Sequence, residues 1–198
     1  PEIRFLNFDE GGKGFAIKEG FKDALARNND LIGFVDADEA TTPQAFYDLV
    51  KNIKKYDGII ASRYINKAIV KPKQTLSRRF VSRVFNFMIR SLFFFSYRDT
   101  QCGAKLFTRQ AIQKTLKDLT MTQWAFDIDL LYTLKKNKQK VIEYPTVWRD
   151  VEASKLNIKK TSIQMFLAII QLRILQSPLK RFWRFFRPLT GLLRRTVR

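Results

Sequence analysis

The apolar run Leu31-Ile32-Gly33-Phe34-Val35 stops abruptly at Asp36-Ala37-Asp38. A short uninterrupted run of this kind predicts a buried strand. Thr42 and Pro43 then supply an N-cap and a first-turn proline. Phe46, Leu49, Val50 and Ile53 follow at helical spacing. Upstream, residues 3–8 read as a short strand closed by Gly11-Gly12-Lys13-Gly14. Ile17, Phe21, Ala24 and Leu25 give the next segment one apolar helical face. Residues 58–61 predict a further strand, with Ser62-Arg63-Tyr64 just beyond its end. Strand, helix, strand, helix, strand is the order of right-handed parallel crossovers in an α/β domain.

Beyond this point the texture changes. Across residues 77–97, Phe80, Val84, Phe87, Met88 and Ile89 are interleaved with Arg78, Arg79, Arg83 and Arg90, which predicts a cationic amphipathic helix. Residues 105–107 suit a short strand and residues 125–134 a helix. Residues 141–147 are extended but carry Pro145, the mark of an edge strand or a bend. Residues 165–175 are apolar, yet Gln171 and Arg173 interrupt them well short of the ~20 residues that cross a bilayer. The chain is expected to divide into residues 1–156, an α/β domain, and residues 157–198, a basic amphipathic tail. In that tail Arg181-Phe182-Trp183-Arg184-Phe185-Phe186-Arg187 suits a lipid headgroup region, and equally single-stranded nucleic acid.

Charge narrows the choice of partner. The chain has 37 Lys and Arg against 18 Asp and Glu, a net +19, and no histidine. Such an excess calls for an anionic partner: nucleic acid, a phosphate-bearing substrate or an acidic membrane face. Without histidine, Ser-His-Asp, Cys-His and His-zinc chemistry are all excluded. The single cysteine, Cys102, leaves no intrachain disulfide.

In open α/β sheets ligands bind at the carboxyl ends of the strands, where Asp36 and Asp38 fall. Two carboxylates one residue apart repel unless a cation lies between them. Oxygen ligands of this type suit Mg2+ or Mn2+, often shared with substrate phosphates. An acidic loop before a helix is the alternative, and the motif alone does not separate the two. Gly11–Gly14 is not a P-loop, since the Gly-Lys-Ser/Thr spacing is missing, and it can equally be a plain turn.

Three further blocks are dense in polar groups: residues 98–109 (RDTQCGAKLFTR), residues 124–129 (WAFDID), and Trp148-Arg149 with Ser154-Lys155-Leu156. Together with Asp36-Ala37-Asp38, these resemble the polyprenyl-phosphate glycosyltransferases of glycosyltransferase family two, and within them the dolichyl-phosphate β-glucosyltransferase branch. The resemblance runs from about residue 3 to about residue 156, and the block at 98–109 is its most specific part. It implies a GT-A fold with interface helices and an inverting transfer of glucose from a nucleotide sugar, UDP-glucose, to a membrane polyprenyl phosphate. It also implies a Mg2+ or Mn2+ ion and a place on the cytosolic face of a membrane, the endoplasmic reticulum in a eukaryote or the plasma membrane in a prokaryote.

Residue by residue, the resemblance gives Asp36 and Asp38 to the metal and the donor diphosphate, with Lys13 and Gly14 near the donor. Arg63, Arg78 and Ser82 match the acceptor-phosphate site, and Asp99, Asp127 and Asp129 match positions near the reacting groups. A phosphate monoester has its second pKa near ~6 and is largely a dianion at neutral pH. It needs cationic capture beside the anomeric carbon, not a general base. These aspartates are therefore expected to position groups and shape the field. Trp124 suits a sugar face or a core, and Cys102 a buried filler.

The chain also departs from the family pattern. Ala40 stands where the mannosyl branch has a metal-binding glutamine, and Glu39 where the glucosyl branch has glycine. Ala104, Asp129 and Ala153 replace phenylalanine, glutamate and glycine. The family's Pro-x-Tyr-Asn-Glu-like and Asp-Asp-Gly-Ser motifs do not occur, so the expectation is a chain entering at the third strand, without most of the base-binding half. The competing readings are a basic nucleic-acid-binding module and a non-catalytic relative. No helix-turn-helix, zinc or RNP pattern supports the former, so no nucleic-acid partner is expected.

Overall fold

The computed structural model describes residues 3–72, 76–120, 125–149 and 158–177, the side chains of 76–78 and 158–163 excepted. Two compact units divide the chain, Pro1–Leu156 and Asn157–Arg198. The first contains α1 (Lys13–Ala26), β1 (Leu31–Val35), α2 (Pro43–Asn52), β2 (Gly58–Ser62), β3 (Ile69–Lys71) and α3 (Leu76–Phe93). It continues with β4 (Ala104–Thr108), α4 (Arg109–Leu116), α5 (Phe126–Lys136), β5 (Val141–Pro145) and β6 (Val147–Arg149). The second contains α6 (Ile158–Leu175). No helix among the described residues is long and apolar enough to cross a membrane.

The main sheet has the order β1-β4-β2-β5. β2 and β5 pair in parallel, while β4 runs antiparallel to both β1 and β2. β1, β2 and β5 therefore point the same way, giving the mostly parallel α/β sheet of a partial GT-A fold with one reversed strand inside it. The crossover from β1 to β2 skips a place, and β4, from much later in the chain, fills it. Register fixes the consequence: Val35 faces Ala104 across one pair, and Ile60 faces Lys105 across the other. The carboxyl ends of β1 and β2 thus share one sheet edge with the residues just before β4.

Local chemistry explains the helices on this frame. Thr42 caps α2 through its Oγ1, which accepts the Ala45 N–H at 3.2 Å, with Pro43 at the first turn. Thr108 caps α4 in the same way through the Ala111 N–H at 3.3 Å, a helix the hydrophobic pattern did not foretell. Leu49, Ile59, Ala61, Cys102, Ala104 and Leu106 form the core between α2 and the sheet. Burying a Leu or Ile there contributes roughly 1.5–3 kcal/mol.

Two expectations fail. Residues 3–8 form no strand: Ile3 is 83% and Phe5 94% exposed, and no backbone among the described residues pairs with them. β1 is an edge strand of the described sheet, flanked only by β4, so Val35 stays 47% exposed where a fully buried strand was expected. The bend at Pro145 is present. β5 ends there, and Thr146 leads into β6, which pairs in parallel with β3 in a second, two-stranded sheet.

Candidate active site

Asp36 is the first residue after β1, and its backbone N–H donates to Gly103 O at 2.8 Å. Its carboxylate lies against the Gly103 Cα, where an added Cβ would sit 2.0 Å from Oδ2. Only glycine allows that approach. Across from it, Gly12, at φ 133°, turns the chain into α1, so that Lys13 opens the helix. The Lys13 ammonium lies 2.9 Å from Asp36 Oδ1 and 3.1 Å from Asp127 Oδ2. Asp127 Oδ1 in turn accepts from Lys105 Nζ at 2.6 Å. Lys13 thus bridges two carboxylates, Asp36 and Asp127.

Each charge owes its state to its neighbours. Burial favours neutral Lys13, but Asp127 and Asp36 outweigh it and raise its pKa above the ordinary lysine value. Burial likewise favours protonated Asp127, and Lys105 with Lys13 reverses this, holding its carboxyl below the usual range. Gly14 is buried in α1, next to this cluster in sequence.

At the end of β2, Arg63 meets Asp99. Arg63 Nε donates to Oδ2 at 2.7 Å and Nη2 to Oδ1 at 3.0 Å, while the Arg63 backbone N–H reaches Oδ2 at 3.0 Å. Asp99 is fully buried. Burial would raise its pKa, but the guanidinium dominates and lowers it. Glu143 holds the loop by accepting the Arg98 and Asp99 backbone N–H groups at 2.8 Å each. The Arg63 guanidinium stacks 5.2 Å from the ring centroids of both Tyr64 and Trp148. Arg83 lies 4.6 Å over Tyr64, whose hydroxyl is 2.6 Å from Ser82 Oγ. Arg63, Tyr64, Ser82 and Arg83 thus make one cationic, hydroxyl-bearing patch between β2 and α3.

The other expected residues separate. Asp38 Oδ1 accepts the Ala40 N–H at 3.0 Å, closing a tight turn in which Glu39 adopts φ 58°. β6 ties this turn down, since the Arg149 N–H donates to Ala40 O at 2.8 Å. Asp129 is buried and accepts from the Thr120 N–H at 2.6 Å and its hydroxyl at 3.2 Å. It therefore braces the turn after α4, and the structure does not bring it to Asp127. Arg78 lies on α3, but its side chain is outside the described residues, as are Trp124, Ser154, Lys155 and the aromatic-cationic tail. Cys102 is a buried filler whose thiol burial pushes up to about 12.

Lys105 and Glu143 are the residues that the sequence reading missed. Lys105 carried a signal: strand alternation puts it on the same face as Phe107, which is buried. A lysine on such a face demands a buried counter-ion. As to metal, no group of three or more His, Cys, Asp or Glu among the described residues could hold an ion. Two carboxylates are too few for an all-protein cage. A divalent ion held through Asp36 would have to take most of its oxygens from substrate phosphates and water.

Comparison with known proteins agrees with this architecture. Residues 1–116 match the family described as Glycosyl transferase family 2. A dolichyl-phosphate beta-glucosyltransferase of Trichomonas vaginalis is 33% identical over 88% of this chain and 52% of its own length. The enzyme of that name from Dictyostelium discoideum is 32% identical over 86% of this chain and 54% of its own. For the Homo sapiens protein of that name the figures are 33%, 73% and 46%. The chain spans about half the length of these relatives. By the family match and these identities, the chain belongs to glycosyl transferase family 2.

Proposed function

We propose that this chain transfers glucose from UDP-glucose to a membrane polyprenyl phosphate, with inversion at the anomeric carbon. Family membership and the relatives' names support the reaction class. One observation carries the rest: a single sheet edge gathers a carboxylate–lysine cluster at Asp36 and a cationic patch at Arg63. The first suits a donor diphosphate, and the second an acceptor phosphate.

In this reading Asp36 and Asp38 hold a divalent ion with the donor, Lys13 meets the diphosphate, and Gly14 lets α1 start close to it. The ion, when bound, supplies Lewis-acid neutralisation of the departing diphosphate. Arg63, Arg78 and Ser82 hold the acceptor phosphate in line with the anomeric carbon. An acceptor oxygen bonds to that carbon as the sugar–diphosphate bond breaks, and no proton need be removed from the dianion. Asp99 fixes the Arg63 fork, and Asp127 holds Lys13. Asp129 acts at a distance through the Thr120 turn.

Support for a membrane setting comes from α3. Its buried residues Asn86, Ile89 and Phe93 face the domain, while Phe80 and Phe87 are each 70% exposed beside Val84 at 52%. Apolar side chains flanked by Arg79, Arg83 and Arg90 suit the headgroup boundary of an anionic, cytosol-facing leaflet. The test is transfer of labelled glucose from UDP-glucose to polyprenyl phosphate in anionic vesicles with Mn2+. Asp36→Asn should reduce turnover at least about 100-fold while the fold persists. Turnover at the unmodified rate in that variant would remove Asp36 and its ion from the reaction.

A further inference from the structure

Lys105 sits in β4 between Ala104 and Leu106, and its side chain is wholly out of solvent. It therefore cannot touch a substrate. An ammonium in that position is costly unless it is paired and hydrogen-bonded. Its Nζ donates to Cys102 O at 2.7 Å and to Asp127 Oδ1 at 2.6 Å, and lies 5.5 Å from the centroid of the Phe34 ring. Strand pairing of Phe34 with Lys105 fixes this placement in the backbone.

The other oxygen of Asp127 carries Lys13, which also reaches Asp36. Charges thus alternate along a row: Lys105, Asp127, Lys13, Asp36. The two lysines differ in one respect. Lys105 is sealed, whereas the Lys13 side chain is 38% exposed and its stem can swing. Were Lys13 alone to neutralise Asp127, drawing it away would strand a buried carboxylate.

We propose that Lys105 is a positioning residue: as the permanent counter-ion of Asp127, it frees Lys13 to move onto the phosphates of a nucleoside-diphosphate sugar. This inference rests on the donor reading given above. Lys105 stays with Asp127 throughout, so the departure of Lys13 leaves no unpaired buried charge. The departure also bares Asp36 for an ion.

The test is Lys105→Met, read first without any donor. In that variant Asp127 has only Lys13, so Lys13 should be acylated several-fold more slowly by acetic anhydride, followed by peptide mass spectrometry. Mere loosening of the core would speed that labelling, so an equal or faster rate overturns the inference. If Lys105→Met does not melt cooperatively, Asp127→Asn is compared with the Lys105→Met/Asp127→Asn pair. Equal Lys13 labelling in those two is expected, and unequal labelling overturns the proposal. Calorimetry with UDP-glucose and Mn2+ supplies the second arm. The unmodified chain should bind, and Lys105→Met about tenfold more weakly; equal binding counts against the inference. No binding by the unmodified chain would remove the functional reading instead, and the labelling arm would still decide the role of Lys105.

Discussion

At the end of β1 two lysines share two carboxylates, whereas at the end of β2 one arginine takes both oxygens of a single aspartate. Lys13 is a point charge on a flexible stem, 38% exposed beside a one-third exposed Asp36. Arg63 is a planar fork, 14% exposed, locked to a fully buried Asp99 and stacked between Tyr64 and Trp148. Point charges exchange partners readily, and bidentate forks hold geometry. The first cluster leaves its cation on a flexible, partly exposed stem, and the second holds its cation in a fixed orientation.

The contrast is broken most directly by removing one partner from each. Asp99→Ala leaves a guanidinium in a site made for its carboxylate and should cost about 3–5 kcal/mol of stability. Lys13→Ala removes a half-exposed cation, Asp127 keeps Lys105, and the loss should stay below about 1 kcal/mol. Urea unfolding of both variants measures the difference. Equal losses would mean that the two clusters are the same kind of structure after all.

Acid and base sharpen the comparison next. Asp99 and Asp127 have depressed folded pKa values, burial being outweighed by Arg63 in one case and by Lys105 with Lys13 in the other. Their stabilisation is complete above the unfolded value of ~3.9 and is lost as pH falls through the folded values below it. Lys13 has a raised folded value, against burial, because of Asp127 and Asp36. Its stabilisation is complete below ~10.4 and lost as pH rises through the folded value. The thermal midpoint should therefore fall at both ends. Replacing Arg63 by Met together with Asp99→Asn should flatten the acid limb, and Lys13→Met the alkaline limb. An acid limb that the first pair leaves unchanged would show that Asp99 is not its source.

Much of this edge was legible because both charged positions, Asp36 and Arg63, close an apolar run. Asp36 follows Val35 and Arg63 follows Ser62, so a strand boundary and a charge coincide. The pairing of Arg63 with Asp99 was not legible, since it depends on a loop far along the chain that Glu143 holds. Nor was the place of β4, because strand order is set by non-local contacts that no local pattern encodes. Residues 3–8 read as a strand because local sequence reports a suitable segment, not a neighbour to pair with. Asp127 and Asp129 were grouped as one site, yet residues two apart on a helix do not face each other. Helical geometry alone could have sent Asp129 elsewhere, and the structure sends it to Thr120.

The smallest expected effect lies in the loop that carries Asp36 and Asp38. Glu39 holds φ 58°, a left-handed conformation, while Arg63 and Tyr64 after β2 have no positive φ. A side chain in that region costs roughly 1–2 kcal/mol, and glycine adopts it freely. Glycine also adds freedom to the unfolded chain, which offsets about 0.4–1 kcal/mol of the gain. Glu39→Gly should therefore stabilise the chain by about 0.5–1 kcal/mol. The turn itself should persist, because the Ala40 N–H still reaches Asp38 Oδ1 and the Arg149 N–H still reaches Ala40 O. Differential scanning calorimetry reads the change as a raised thermal midpoint. A lowered midpoint would mean that the Glu39 side chain contributes more to this loop than its backbone strain costs.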